Sequence, residues 1–178
     1  ADSPKQMTLS NAREFILNKI IAIDEEDHLF GLYLLKNSPH KQEIISHPKW
    51  IDVSKFSELS QIALAYALNH PLNKKNNIEC IVHRMMETAE IISEHNQENA
   101  QNEAQLLNIW FALSKIAYYR DYKFKNTSAL AAAVEYSFLN ALSETVTKKA
   151  IAEKYKISTS TLSKYEEELY SFIPEHYM

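Results

Sequence analysis

A chain of 178 residues with a single glycine, Gly31, has few ways to turn tightly. Two-residue hairpins need positive φ and lean on glycine, which argues against a many-stranded β fold. Loops that cradle phosphate need several glycines at close spacing, so a P-loop and a dinucleotide fingerprint are excluded. The length suits one domain, or one small domain with an appendage. With 46% of residues apolar and 24% charged, the chain has the material for a core. The lone Cys80 forms no internal disulfide, which fits a reducing compartment and a cytoplasmic location. No apolar run approaches the roughly 18 residues of a membrane span, so no membrane contact is expected. The first six residues carry no signal-peptide apolar stretch. They begin at Ala1 rather than Met, as in a processed or shortened chain.

Apolar spacing is helical nearly throughout, which predicts an all-α, multi-helix bundle. Thr8 or Ser10 is expected to cap a first helix that buries Phe15, Ile16, Ile20 and Ile23. The acidic run Asp24–Asp27 lacks the ligand pattern of a calcium loop and reads as a solvated turn. Leu29–Leu35 reads as a short buried helix, and Pro39 and Pro48 break up the stretch after it. Ser54 and Asn73 are expected to cap two further helices, running to about Asn69 and His95. Ile78, Ile81, Val82, Met85, Ala89 and Ile92 form an apolar stripe on the second of these. Leu106–Tyr119 is apolar almost all round and should sit centrally, with Ile109 and Leu113 in the core. An Ala-rich helix, Ala129–Leu142, and two short helices near Lys148–Tyr155 and Thr159–Phe172 complete the chain. The first six residues and the last few are expected to be disordered.

Charge is uneven. Thr147–Lys164 holds five lysines (148, 149, 154, 156 and 164) against Glu153, a net +4 that leaves −8 on the rest of a chain of net charge −4. Within this segment, Ala152 is the small residue two steeply crossed helices need at their contact. Ile151 and Tyr155 share one face, Ile157 fills the turn, Ser158 can cap the second helix, and Leu162, Tyr165 and Leu169 make its buried stripe. This pattern resembles the helix-turn-helix of DNA-binding regulators. Lys156 stands where members of that group usually have glycine, at a left-handed position. Upstream, Ser128–Tyr136 followed by Thr147 onward is similar to the end of the cyclin-fold repeat in TFIIB-type transcription factors. The resemblance covers about 45 of 178 residues.

The resemblance implies that the second helix enters the major groove by its N-terminal end. Thr159, Ser160, Thr161 and Ser163 would offer hydroxyls to bases or phosphates, and Lys164 would reach a phosphate or a guanine edge. Lys148, Lys149 and Lys154 would meet the backbone. With Leu162, Tyr165 and Leu169 inward, the outward side is Ser160, Ser163, Lys164 and Glu167. Against DNA contact stand the glutamates Glu166, Glu167 and Glu168 and the lack of any arginine in the segment.

Other groupings read more plainly. Cys80, His83 and Glu87 share one helix face but are too few for structural zinc, so no metal and no cofactor is expected. His28, His40, His47 and His70 pair with no nucleophile by spacing. Tyr118–Lys125 interleaves aromatic and basic residues and reads as the end of a buried helix with its lysines reaching out to water, with stacking on single-stranded bases as the alternative. No catalytic constellation is visible, and the chain is not expected to be an enzyme. The expectation is therefore a cytoplasmic DNA-binding transcriptional regulator. Residues 121–178 would form a helix-turn-helix domain acting on double-stranded DNA. Residues 1–120 would form an α-helical body for self-association, a protein partner or a ligand. The alternative is a protein-interaction module whose helix-turn-helix is architectural.

Overall fold

The computed structural model describes residues 9–47, 50 and 53–173. Nine α-helices and no strand occur among them. The helices are α1 Leu9–Ile21, α2 Glu25–Lys36, α3 Lys41–Ile45, α4 Glu58–Ala67, α5 Asn77–His95, α6 Ala100–Tyr118, α7 Thr127–Ala141, α8 Lys148–Lys154 and α9 Thr159–Tyr170. None is long and apolar enough to cross a membrane. The chain divides into two compact units, residues 1–83 and 84–178, with the division inside α5. The boundary expected near residue 120 falls inside the second unit.

In the first unit, α2 packs against α1 and α4. It buries every residue from His28 to Leu35, and with them Gly31. That glycine serves close approach, not a turn. A Cβ built there would lie 2.9 Å from Lys19 Cβ, 3.0 Å from Ile20 Cγ1 and 3.2 Å from the Ile16 carbonyl oxygen. The acidic run is not a solvated turn. Asp24 is the N-cap of α2, and Glu25, Glu26 and Asp27 form its first turn, where the helix dipole favours negative charge. Ile23 is 97% exposed rather than buried, because α1 ends at Ile21. His28 is buried between the Ser60 hydroxyl, 3.0 Å from Nδ1, and the Ala22 carbonyl, 2.6 Å from Nε2.

Two caps lie three residues downstream of the expected ones. Ser57, not Ser54, caps α4 by accepting from the Ser60 N–H at 3.2 Å. Asn76, not Asn73, accepts from the N–H groups of Ile78 and Glu79 at the start of α5. Ser54 sits in a 3-10 turn, Val53–Lys55, and Asn73 accepts from the Lys75 N–H in a local turn. Thr8, Pro48, the first six residues and the last few lie outside the described residues, and Ser10 lies within α1.

In the second unit, α6 begins at Ala100 behind the N-cap Asn99, earlier than its apolar stretch suggests. It buries Leu106, Leu107, Trp110 and Phe111, and the Trp110 indole N–H donates to the Met85 carbonyl at 2.9 Å. Ile109 and Leu113 are half-buried, not core. They line an apolar hollow of about 220 Å³ with residues of α7 and α9. The Ala-rich helix α7 buries every residue from Ala129 to Glu135 and packs against α6, α8 and α9. Small side chains there let three helices approach one axis.

Candidate nucleic-acid interface

The α8–α9 region is specified by its ends. The Thr147 hydroxyl accepts from the Ala150 N–H at 3.1 Å, and the Ser158 hydroxyl accepts from the Thr161 N–H at 3.1 Å, so each helix has a side-chain N-cap. After α8 the Ile157 N–H donates to the Ala152 carbonyl at 2.9 Å and the Lys156 N–H to the Glu153 carbonyl at 3.2 Å. Those two bonds are a Schellman motif, which requires a left-handed residue at Lys156. Its φ is 58°, as expected of the position where glycine is usual. Ile151, Ala152, Tyr155, Leu162 and Leu169 are buried, while Ile157 and Tyr165 are half-buried.

Underneath lies a polar latch. Glu135 on α7 is 2% exposed. Its carboxylate accepts from the Tyr155 hydroxyl at 2.7 Å and from Lys154 Nζ at 2.7 and 2.9 Å. Asn96 donates to the Tyr155 oxygen at 3.2 Å and accepts from Lys154 at 3.3 Å, and the His95 ring stacks on Tyr155 with centroids 4.4 Å apart. Burial, then the neighbouring Glu135 charge and hydrogen bond, pushes the Tyr155 phenol far above its ordinary pKa. The phenol thus stays a neutral donor. A second brace joins α8 to α9: Lys148 Nζ donates to the Ser163 hydroxyl at 3.1 Å and pairs with Glu166 at 3.3 Å.

These bonds divide the residues that the DNA reading singles out. Lys148 and Lys154 are paired with groups of the fold, Lys148 half-buried and Lys154 exposed. Ser163 is half-buried against Lys148 instead of standing on the outward side. Thr161 is half-buried, and its hydroxyl accepts from Ser158 at 2.8 Å. Ser160 is exposed, with its hydroxyl 3.1 Å from Ser158 Oγ. Thr159, Lys149 and Lys164 are exposed, and so is Lys156, which the sequence marks only for its backbone. Neither Lys149 nor Lys156 forms an ion pair or side-chain hydrogen bond with a described residue. Lys164 lies over the Tyr165 ring, 5.5 Å from its centroid. Glu166 and Glu168 are occupied by Lys148 and the Tyr122 hydroxyl, which leaves Glu167 as the exposed acid of the three.

The sequence reading missed Glu135. Its one signal is an acid directly after the apolar run Ala129–Val134, with a lysine and a tyrosine about 20 residues on. It also missed Glu103, 1% exposed, which accepts from the Ser93 hydroxyl at 2.6 Å. Cys80 and His83 face separate neighbours. The thiol faces the Lys74 carbonyl at 3.5 Å and the imidazole packs edge-on against Tyr66. Burial, and Lys36 nearby, hold the His83 pKa below its ordinary value. No group of three or more His, Cys, Asp or Glu among the described residues is placed to hold a metal ion. Comparison with protein-family models, with curated proteins and with solved structures finds no match to this chain.

Proposed function

We propose that the chain binds double-stranded DNA through α8 and α9, used as a helix-turn-helix, and acts as a transcriptional regulator. The observation that carries the reading is a set of exposed lysines on α8, the turn and α9. Lys149, Lys156 and Lys164 are exposed, and the N-terminal turn of α9 presents Thr159 and Ser160. The backbone between the two helices holds the left-handed turn such a unit uses. The dipole at the α9 N-terminus favours phosphate. Lys148 then braces α8 against α9 and Lys154 ties α8 to α7, and the phosphate contacts fall to the three exposed lysines.

Fluorescence-anisotropy titration against a random duplex and a genomic pool, at two salt concentrations, tests this. Replacing Lys149 and Lys156 with Gln should weaken binding to all duplexes alike. It should flatten the log–log salt dependence by about 0.9 for each phosphate no longer neutralised. Ser160→Ala should weaken a preferred site more than random duplex, since base edges carry the sequence information. No binding at low salt, or lysine variants indistinguishable from the parent, would sink the reading. In that case the architectural alternative stands, for which the internal pairing of Lys148 and Lys154 and the exposed Glu167 already speak.

A further inference from the structure

The connector between α6 and α7 folds back beside α9. It is shaped by two non-glycine residues at positive φ, Asp121 at 58° and Phe124 at 51°. Phe124 is fully buried and meets Trp110 and Tyr122 edge-on, with centroids 5.8 and 4.9 Å away. With that ring anchored, its neighbours Lys123 and Lys125 are both exposed. The connector and the middle of α9 enclose a hollow of about 400 Å³, lined by Arg120, Lys123, Lys125 and Lys164 with Asp121 and Glu168. Four cations face two acids, a local +2 on a chain of net −4. One of those acids is already engaged, because the Tyr122 hydroxyl donates to Glu168 at 2.8 Å. Arg120 is held in place by its Nη1 bond to the Ser171 carbonyl at 2.8 Å. Neither Lys123 nor Lys125 has an ion-pair partner among the described residues.

We infer that this hollow holds a phosphate of the nucleic-acid backbone next to the stretch that α9 reads, so that the connector is a second anchoring element. The inference rests on the DNA reading and goes beyond it, since the connector lies outside the two-helix unit. Lys164 belongs to both surfaces: it projects from α9 and lines the hollow. A strand bound at the N-terminus of α9 is thus continued along its flank by cations and not by the acids of its last turns. Such anchoring fixes register and adds affinity without reading sequence.

The test is Lys123→Gln with Lys125→Gln, both exposed side chains whose replacement leaves the core untouched. Duplex binding is measured over a series of salt concentrations. Pyrophosphate is titrated calorimetrically into the parent and the variant as a free-anion probe. The expected result is a log–log salt slope flatter by about 0.9 for the double variant, with the ratio of specific to random binding unchanged. A parent that binds duplex with a slope the variant leaves unaltered would overturn this inference alone and spare the α9 reading. Pyrophosphate binding abolished in the variant, with the DNA slope unaltered, would also overturn it, because the hollow would then serve a free anion. A parent that binds no duplex even at low salt would overturn both.

Discussion

Replacing Lys156 with glycine tests the backbone of the α8–α9 turn directly. Among the described residues, four helices end in the same pair of bonds. In α4, α6, α7 and α8 the left-handed position is held by Asn69, Asp121, Ser143 and Lys156, at φ of 58° to 61°. Glycine is the usual occupant, and Asn and Asp visit this region at the least penalty among the others. Lysine has no such allowance, and a left-handed Cβ costs it roughly 1–2 kcal/mol. Its side chain is exposed, with no ion pair or hydrogen bond to a described residue, so nothing on the folded side offsets that cost. Glycine in turn loses more backbone entropy on folding, by about 0.5–1 kcal/mol. The net expectation is a gain of about 0.5–1 kcal/mol, read as a higher urea midpoint with unchanged m-value and a Tm raised by about 1–4 °C. Lys156→Ala keeps the Cβ and should show no such gain. If glycine is neutral or destabilising while alanine matches the parent, the left-handed assignment is wrong. The helix register built on it then falls as well.

Gly31→Ala should act in the opposite direction. Helix propensity favours alanine by about 1 kcal/mol, but the new Cβ meets α1, and overpacking of this kind costs about 1–3 kcal/mol, so urea unfolding should show a net destabilisation. Glu135→Ala should cost about 2–4 kcal/mol in the same assay, because it leaves the Tyr155 hydroxyl and Lys154 without their shared acceptor. Glu135→Gln, which keeps the shape, should cost less. Tyr122 and Tyr155 are held neutral when folded, with phenol pKa values raised chiefly by burial. The unfolded chain therefore releases these protons first, and stability should fall as pH rises above about 10. Tyr122→Phe and Tyr155→Phe together should flatten that fall; an unchanged pH profile would contradict the assignment.

The all-helical fold was legible because its evidence is local and redundant. Apolar residues recur at helical spacing from Phe15 to Leu169, and one glycine leaves little material for hairpins. Boundaries were less legible, since several residues compete to cap one helix. Ser54 and Ser57 are equally good caps by type, and only packing places Phe56 in the core just ahead of Ser57. The burial of Ile109 and Leu113 was misread for a related reason. An apolar stretch shows that a helix is apolar on all sides, but not which side its neighbours cover.

The candidate site was legible in its backbone and much less so in its side chains. Ala152, Ser158 and Lys156 sit where local bonding needs them, and a local rule is readable from a single segment. Whether a lysine is free to meet phosphate is not local. Lys148 and Lys149 are adjacent and chemically identical, yet one is tied to Ser163 and Glu166 and the other stands open. Lys154 reads as a phosphate-facing lysine in the segment alone, whereas α7 brings a buried carboxylate 2.7 Å from it. The same folding that pairs Lys148 and Lys154 with acids brings Lys123 and Lys125 into one hollow with Lys164. The net +4 of residues 147–164 therefore overstates that segment's unpaired charge. Which charges stay unpaired is decided by contacts among α7, α8, α9 and the connector that no single stretch of sequence contains.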